Sequence, residues 1–123
     1  ASFIGSMNFV PAIINSSNKV KCNQIEINCD IGNFQVNDSV QLAIRPEDIQ
    51  FTQGSQDDNM IPGIIKEVEF LGSFQRVYFE VRNITDELII VDVPSSTARK
   101  IELDVNKEMN LYFSKEDARI YST

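Results

Sequence analysis

The sequence predicts an all-β fold of short antiparallel strands with little helix. The main observation is a period-two alternation of polar and apolar residues at positions 66–70 and 76–82, which is typical of strands with one buried face. A tight turn at Gly72 and Ser73 joins these two strands into a hairpin. Segments with helical periodicity are short, so strands account for most of the predicted structure.

The remaining strands follow from the same alternation. Their predicted bounds, in chain order, are residues 9–14, 20–22, 24–29, 40–44, 88–93, 109–113 and 119–121. Pro11 cannot donate a hydrogen bond to a neighbouring strand, so the first strand is expected to be an edge strand or one broken by a bulge. Helical turns are expected at residues 1–5 and 114–117, and Ser114 could cap the second of them. No internal repeat stands out.

The phase of the predicted hairpin assigns its side chains to two faces. The core side is expected to carry the apolar residues Val68, Phe70, Val77, Phe79 and Val81. The solvent side is expected to pair Glu67 and Glu69 with the hairpin arginines, which are Arg76 and Arg82. Opposite charges across strands contribute a few tenths of a kcal/mol up to about 1 kcal/mol. These pairs would therefore set the register of the strands more than their stability.

The composition indicates one domain with an acidic surface. A chain of 123 residues with 42% hydrophobic residues can fill a single core. The net charge of −7 opposes binding to nucleic-acid backbones or anionic lipids, because both require clustered Lys and Arg. No apolar run approaches the length needed to span a membrane. We therefore expect no nucleic-acid partner and no direct membrane contact.

The sequence offers no set of residues suited to catalysis or metal binding. It has no histidine, which removes the usual general base and every Ser-His or Cys-His pair. A zinc site would need carboxylates for half of its ligands, since the cysteines are Cys22 and Cys29, and these are predicted to be free thiols. The five glycines do not form the Gly-rich loop, ending in Lys-Ser or Lys-Thr, that holds nucleotide phosphates. We predict no catalytic, cofactor or metal residues and no ATP hydrolysis by this chain alone.

A bend with fixed charges follows the strand at residues 40–44. Pro46 fixes its own φ and favours an extended Arg45, so the guanidinium and the carboxylates of Glu47 and Asp48 are presented at a defined place. One interpretation is an internal salt bridge, or a carboxylate that accepts backbone N–H groups. The other is a contact with another domain or a second subunit. The polar segment 53–59 is predicted to be a solvated loop, because it lacks the residue order of a calcium loop.

Four pieces of sequence, in this order, resemble one known family. They are Phe-Ile-Gly-Ser-Met-Asn at 3–8, the Arg-Pro-Glu-Asp bend at 45–48, Gly-Ile-Ile-Lys-Glu-Val-Glu-Phe-Leu-Gly at 63–72, and Met-Asn-Leu-Tyr-Phe at 109–113 followed by Ala-Arg-Ile-Tyr at 118–121. Together they resemble the C-terminal, transport-associated OB-like (TOBE) domain of ATP-binding subunits from ABC importers of the maltose, spermidine, iron and phosphonate type. This resemblance implies one or two OB-like β-barrels.

The resemblance also implies a domain organisation and a role. Residues 1–8 would be the end of a linker from an absent nucleotide-binding domain, and residues 9–123 would be the regulatory domain. ATP and Mg²⁺ would bind in the absent domain, so this chain would be non-catalytic and would stabilise the dimer of a cytoplasmic ATPase at the inner face of the membrane. Its partners would be its own nucleotide-binding domain, a second copy of the subunit and, indirectly, the membrane permease.

Two sets of candidate site residues follow. The candidate interdomain or dimer contacts are Phe3, Asn8, Arg45, Glu47 and Asp48. An alternative function is the binding of small oxyanions, as in related molybdate-binding OB-like domains, which requires backbone N–H groups or Ser, Thr and Lys donors. The cluster that could supply such donors is Ser95, Ser96, Thr97 and Arg99.

The C-terminal half carries many apolar side chains within one short span. They are Ile84, Leu88, Ile89, Ile90, Val91 and Val93. The inward face of one strand cannot use all of them, so some are expected to face a second sheet or another chain. Self-association is therefore predicted. It should strengthen as salt rises, because salt screens the repulsion between two chains of charge −7.

Overall fold

Nine antiparallel strands form two sheets in the part of the chain that the structure describes, residues 6–123 of a computed structural model. The predicted turn at residues 1–5, including Phe3, lies outside the described residues. The strands are β1 (Asn8–Ser16), β2 (Lys19–Cys22), β3 (Ile25–Asn28), β4 (Ser39–Ile44), β5 (Asn59–Phe70), β6 (Phe74–Glu80), β7 (Ile89–Pro94), β8 (Glu108–Phe113) and β9 (Ala118–Ser122). The strand order is β3-β2-β1-β4-β9 in one sheet and β7-β6-β5-β8 in the other. The predicted all-β fold is confirmed.

The chain contains an internal repeat, so the expectation of none is wrong. Residues 8–50, here called the N-terminal half, and residues 59–122, the C-terminal half, begin with related segments, Asn-Phe-Val-Pro-Ala-Ile-Ile and Asn-Met-Ile-Pro-Gly-Ile-Ile. In each half the first strand pairs with the fourth strand of that half and then changes partner to the second. Different loop lengths elsewhere hide this relationship, because beyond the first strands the two halves share only short matches, such as Glu-Asp at 47–48 and 116–117.

Pro11 and Pro62 occupy equivalent places in the two halves, and neither lies in an edge strand. β1 is the central strand of its sheet, so the expected edge position is wrong. The ladder between β1 and β2 begins only at Ile13, and the ladder between β5 and β6 only at Ile64. Each proline therefore lies where its strand has a partner on one side alone, so the missing N–H is tolerated. The other expectation, a strand broken by a bulge, is confirmed, because the register of β1 shifts between Ile14 and Ser16. The bulge does not lie at Pro11 itself.

The two halves interlock through exchanged strands. β9 belongs to the C-terminal half but pairs with β4 of the N-terminal half, with Ile44 opposite Ala118. In return, Gln50 of the N-terminal half pairs with Tyr112 of β8, and their backbones form two hydrogen bonds of 2.8 Å. Buried side chains of both halves fill one common core.

The core contains most of the predicted inward-facing residues of the β5–β6 hairpin, with one exception. Val77, Phe79 and Val81 are buried, and Val68 packs against them. Phe70 is 78% exposed, so its predicted burial is wrong. Val68 lies opposite Val77, so Phe70 does share their face, but the hairpin extends beyond the core at that point.

The apolar span of the C-terminal half is used mainly inside the molecule. Ile89, Val91 and Val93 alternate along β7 and are buried together with Ile84. This alternation leaves Ile90 half-buried and Leu88 exposed. The internal core therefore accounts for most of the side chains from which self-association was predicted.

The arginines of the hairpin find partners other than Glu67. The Arg76 guanidinium pairs with the Asp92 carboxylate on β7, with a shortest N–O distance of 2.9 Å. Glu69 lies opposite Arg76, and it accepts a hydrogen bond from the hydroxyl of Tyr78. Arg82, two residues beyond the end of β6, pairs with Glu80, the last residue of that strand. Glu69 therefore meets Arg76 across the strands as predicted, but the ion pairs within 4 Å in the described residues join other partners.

Helical structure is limited to three short turns in the described residues. The predicted turn near the C-terminus is a 3₁₀ turn, Lys115–Asp117, but the Ser114 hydroxyl bonds the Asp117 carboxylate at 3.2 Å and does not cap the backbone. A 3₁₀ turn at Pro46–Asp48 and a helix α1 (Ser95–Ala98) were not predicted as helical. Cys22 and Cys29 are buried free thiols, as predicted.

Candidate functional site

Asn8 fixes the start of β1 to the edge of the other sheet. Asn8 is 4% exposed, its Nδ2 donates to the Ile90 carbonyl at 2.8 Å, and its Oδ1 accepts from the Ile90 N–H at 2.7 Å. Asn8 also lies opposite Ile44, the last residue before the Arg-Pro-Glu-Asp bend. The predicted contact residue therefore joins three elements by internal bonds.

The bend forms a rigid corner, here called the first corner (residues 45–49). Arg45 is extended, and Pro46 occupies the first position of the 3₁₀ turn, where its missing N–H costs nothing. The Asp48 N–H donates to the Arg45 carbonyl at 3.0 Å. Pro46 and Ile49 are buried, which anchors the corner on both sides. Arg45 and Glu47 are left exposed on its surface.

The first corner packs against β7, the same strand that Asn8 binds. A cleft of about 230 Å³ lies between the corner, the end of β7 and α1, and its lining includes Glu47, Phe51, Asp92 and Thr97. Four of the five predicted contact residues, Asn8 and the charged residues of the corner, are thus brought to one region of the molecule, where Asn8 is buried. The fifth, Phe3, lies outside the described residues.

The first corner does not contain the internal salt bridge considered for it. Within residues 6–123 the ion pairs within 4 Å are Arg76–Asp92 and Arg82–Glu80. The Glu47 and Asp48 carboxylates also accept no hydrogen bond in that part of the chain. The charges of the corner are therefore available to another molecule or domain.

A second corner (residues 114–118) faces the first one. It has the same Glu-Asp sequence, with Glu116 and Asp117 equivalent to Glu47 and Asp48. Burial raises the pKa of the Asp48 carboxyl, and the carboxylates of Asp117 and Glu47 raise it further, while the nearby cations only partly offset this. The two corners thus place like charges close together at the junction between the halves.

Sequence reasoning missed the counterpart of Asn8. Asn59 is 5% exposed at the start of β5, accepts a hydrogen bond from the Asn28 N–H at 2.8 Å and donates to the Asn28 carbonyl at 3.0 Å. The same bidentate arrangement therefore joins each half to the other. The repeated segment that begins with Asn8 and Asn59 is the signal that could have identified it.

The candidate oxyanion residues lie on and just after α1, a helix of four residues. The Ser95 hydroxyl donates to the Gly72 carbonyl at 2.7 Å, and its N–H donates to the Ser73 carbonyl at 2.9 Å. Ser96, Thr97 and Arg99 are exposed, and Thr97 faces the cleft beside the first corner. One of the four donors is thus already used to fasten α1 to the hairpin turn.

Three further observations concern the described part of the chain. Residues 6–123 contain no group of three or more Cys, Asp or Glu residues placed to hold a metal ion. Burial raises the pKa of the Cys22 thiol to about 12 and that of Cys29 to about 11. These thiols therefore stay protonated and unreactive at neutral pH. No helix among these residues is long and apolar enough to cross a membrane.

Comparison with known proteins gives a family and several relatives. The family model described as the TOBE domain matches residues 42–120. The chain is 22% identical over 134 residues to the Fe(3+) ions import ATP-binding protein FbpC 2 of Rhizobium meliloti (strain 1021), covering 99% of this chain and 34% of that protein. It is 24% identical over 120 residues to the spermidine/putrescine import ATP-binding protein PotA of Onion yellows phytoplasma (strain OY-M), covering 98% of this chain and 26% of that protein. The chain thus spans about a third or a quarter of the length of these relatives.

A solved structure shows the same fold. The cytoplasmic molybdate-binding protein ModG, in a crystal form with molybdate bound, superposes with a TM-score of 0.77 over 94% of this chain and 96% of that one. The sequence identity is 9%, so the similarity extends to the fold alone. The OB-like architecture expected from the sequence is confirmed.

Proposed function

Because this chain belongs to the TOBE domain family, we propose that it is the C-terminal regulatory and dimer-stabilising domain of the ATP-binding subunit of a solute-importing ABC transporter. The observation that carries the proposal is the pattern of coverage. Nearly the whole chain aligns with a part, about a third or a quarter, of proteins named as import ATP-binding proteins. The remainder of such a subunit would supply the ATP and Mg²⁺ site, and this domain would perform no chemistry.

The proposal gives the domain a location and partners. The domain would work in the cytoplasm, held at the inner face of the membrane through the transporter complex. Its partners would be its own nucleotide-binding domain, a second copy of the subunit and, indirectly, the permease. Residues 1–8 would be the end of the linker, and residues 9–123 the regulatory domain.

We assign the contact with the nucleotide-binding domain to the first corner. A linker that ends at Asn8 would enter the domain beside Arg45, because Asn8 lies opposite Ile44. The exposed guanidinium of Arg45 and carboxylate of Glu47 have no ion-pair partner among residues 6–123. The corner is anchored by the buried residues Pro46 and Ile49. A displacement of Arg45 or Glu47 by a bound domain would therefore be transmitted to β7 and the core.

We assign the contact with the second subunit to the outer face of β1. Phe9 and Ile13 are 40% and 50% exposed there, with Pro11 between them, and Tyr121 of β9 is exposed across the sheet. Burial of such apolar area drives association at roughly 25 cal/mol per Å² before entropic costs. Self-association of this acidic chain should strengthen as salt screens its negative charge.

A chimaera tests the proposed role. The corresponding C-terminal region of the phytoplasma import ATP-binding protein would be replaced by this chain, and dimerisation and ATP hydrolysis would be compared with a version that lacks the region. The chimaera should recover nucleotide-dependent dimerisation by sedimentation velocity. Changing Arg45→Ala with Glu47→Ala should weaken the coupling between ATP binding and dimerisation, whereas Lys100→Ala, an exposed change after α1, should not.

Two results would contradict the proposal. The first is a chimaera that behaves like the truncated protein although this domain is folded by circular dichroism. The second is stoichiometric binding of Mg-ATP by this chain alone in calorimetry, because that would place a nucleotide site in the domain itself. The oxyanion alternative has weaker support, since the Ser95 hydroxyl is already bonded to the Gly72 carbonyl and the chain is acidic.

A further inference from the structure

A cleft, here called the Pro62 cleft, opens beside β5 where β6 has ended. The ladder between these strands begins with Ile64 opposite Glu80, the last residue of β6, so residues 59–63 of β5 have no partner on that side. The cleft has a volume of about 390 Å³. Small-molecule sites measure roughly 300–1,000 Å³, so a molecule that fills this cleft must be small.

The floor of the Pro62 cleft is apolar. It is formed by two buried and two half-buried side chains, which are Ile61, Ile84, Ile25 and Met109. They come from β5, the turn after β6, β3 and β8, so both halves of the chain contribute to the floor. A ligand with a branched aliphatic group would cover this surface and remove it from water.

The rim of the cleft carries charges of both signs. The Nε of Arg82 donates to the Glu80 carboxylate at 2.7 Å, and the terminal nitrogens of this guanidinium donate no further hydrogen bond within residues 6–123. Glu108 lies opposite Ile64 on β8, and its carboxylate forms no ion pair within 4 Å in the same part of the chain. The rim therefore offers donors for a carboxylate and a carboxylate for an ammonium group.

The open edge of β5 adds a hydrogen-bond acceptor. The Ile65 N–H donates to the Lys107 carbonyl at 3.0 Å, and the Ile65 carbonyl accepts from the Asn106 N–H at 2.7 Å, so this backbone unit faces β8. Because backbone groups alternate along a strand, the Pro62 carbonyl faces the other side, toward the cleft. Its partner there would be Arg82, which lies beyond the end of β6. Proline has no N–H, so at this position the edge presents an acceptor and no donor.

We propose that the Pro62 cleft binds a free α-amino acid with a branched apolar side chain. The ligand's carboxylate accepts hydrogen bonds from the terminal nitrogens of Arg82. Its ammonium group donates to the Glu108 carboxylate and to the Pro62 carbonyl, and its side chain covers the floor. This site is independent of the transporter role proposed above, since it uses neither the first corner nor the outer face of β1.

The equivalent gap in the N-terminal half, beside Pro11, differs in charge. It has a volume of about 530 Å³, and its described lining includes Phe9, Gln41, Asp86 and Glu87 but no Lys or Arg. The carboxylate of an amino acid would meet only negative charge there. The proposal therefore concerns the Pro62 cleft alone.

An NMR titration of the full chain with L-leucine tests the proposal. Signals of Ile84 and Met109 should shift saturably, because both residues line the cleft. Arg82→Gln and Glu108→Gln should each raise the dissociation constant about three- to tenfold, since each removes one charged partner at an exposed rim. The matched controls are Arg99→Gln and Glu102→Gln, which alter exposed charges after α1 and should leave the dissociation constant unchanged.

Two analogues of leucine separate the roles of the two charges. Isopentylamine lacks the carboxylate, so its binding should respond to Glu108→Gln and not to Arg82→Gln. Isocaproate lacks the ammonium group and should show the reverse. Both should bind more weakly than leucine, and glycine, which has no apolar side chain, should show no saturation.

Three results would overturn the proposal. The first is the absence of saturable shifts up to the solubility limit of leucine. The second is a set of shifts that lies away from Ile84 and Met109. The third is binding of leucine that the rim variants and the control variants change equally, because the charges of the cleft would then not hold the ligand.

Discussion

The N-terminal and C-terminal halves share a framework but differ in how far their strands extend. β1 and β5 begin with the same type of segment and alternate buried and exposed residues in the same order. β5 has 12 residues where β1 has 9, and β6 has 7 where β2 has 4. The added length carries Phe70 and Leu71 into solvent. The shared part therefore forms the core and joins the halves, whereas the added part makes the surface of the C-terminal half different.

The two halves also fill the core with side chains of different size at equivalent positions. Ile14 lies opposite Val20 in the N-terminal half, and Ile65 lies opposite Phe79 in the C-terminal half. The residue two places before the isoleucine is Ala12 in the first case and Gly63 in the second. The larger side chain, Phe79, occurs together with the smaller residue, Gly63, whereas Val20 occurs together with Ala12. Each half therefore fills its own part of the core with a different combination of residues.

The largest expected change in the free energy of unfolding distinguishes the core shared by the two halves from the extension of the β5–β6 hairpin. Phe79→Ala removes a fully buried ring and should lower the free energy of unfolding by about 3–5 kcal/mol. Phe70→Ala alters a residue on the extension and should change it by less than about 0.5 kcal/mol. Urea titration measures both. Equal losses would mean that the extension also packs onto the core.

The next effect tests whether the two asparagine contacts are equivalent. Asn8→Ala and Asn59→Ala should each cost up to about 3 kcal/mol, because a half-buried backbone N–H and C=O lose their partners. Asn110→Ala, an exposed change on β8, serves as the control and should be nearly neutral. Thermal unfolding at several concentrations gives the comparison. A large loss for one asparagine and none for its counterpart would contradict the functional equivalence of the halves.

A smaller effect on the free energy of unfolding concerns Gly63, whose missing side chain leaves room for the Phe79 ring. A Cβ added there would lie 3.0 Å from Cδ1 of Phe79 and 3.4 Å from Cγ1 of Val81, so Gly63→Ala should cost about 1–2 kcal/mol. In a Phe79→Val background, which introduces the valine found at the equivalent position of the N-terminal half, the same change should cost much less. A double-mutant cycle measures this coupling. Additive costs would show that the two positions do not share space.

The smallest effect concerns the pH dependence of stability, which has opposite signs at the first corner and in the loop of residues 53–58 between the two halves. The folded-state pKa of Asp48 is raised above its ordinary value of 3.8, so the folded protein binds this proton more tightly than the unfolded chain. The contribution of Asp48 to the free energy of unfolding therefore falls as the pH rises through its raised pKa. Asp48→Asn should raise stability at pH 7 by a few tenths of a kcal/mol, the size of an exposed like-charge interaction, and the difference should vanish in acid.

Asp58 provides the contrast to Asp48. Hydrogen bonds from the Gly54 and Ser55 N–H groups lower its pKa, so its contribution to stability is present above the ordinary pKa and is lost as pH falls. Asp58→Asn should therefore reduce stability at neutral pH. Melting temperatures of both variants between pH 3 and pH 7 distinguish the two signs. Parallel pH profiles for the two variants would contradict this account.

Local sequence patterns predicted the strands well because alternation depends only on which face is buried. They could not place Phe70, since the alternation of a strand continues beyond the end of the core it covers. They also missed the length of β5, because Pro62 and Gly63 interrupt its pattern although only one side of the strand is paired there. The resemblance identified the family and the first corner. The repeated segment indicates that Asn59 is equivalent to Asn8. The backbone that each asparagine binds, and the approach of the two corners, depend on pairing between distant strands, which no local pattern contains.

The two mid-strand prolines have a consequence for how the protein behaves at high concentration. Where β1 and β5 change partner, each strand exposes a short stretch of backbone that could serve as a template for a strand from another molecule. Pro11 and Pro62 remove the donor that such a template would need and stiffen the backbone around it. Pro11 and Pro62 therefore disfavour the addition of a strand from another molecule, and hence ordered aggregation, where β1 and β5 have an unpaired backbone edge.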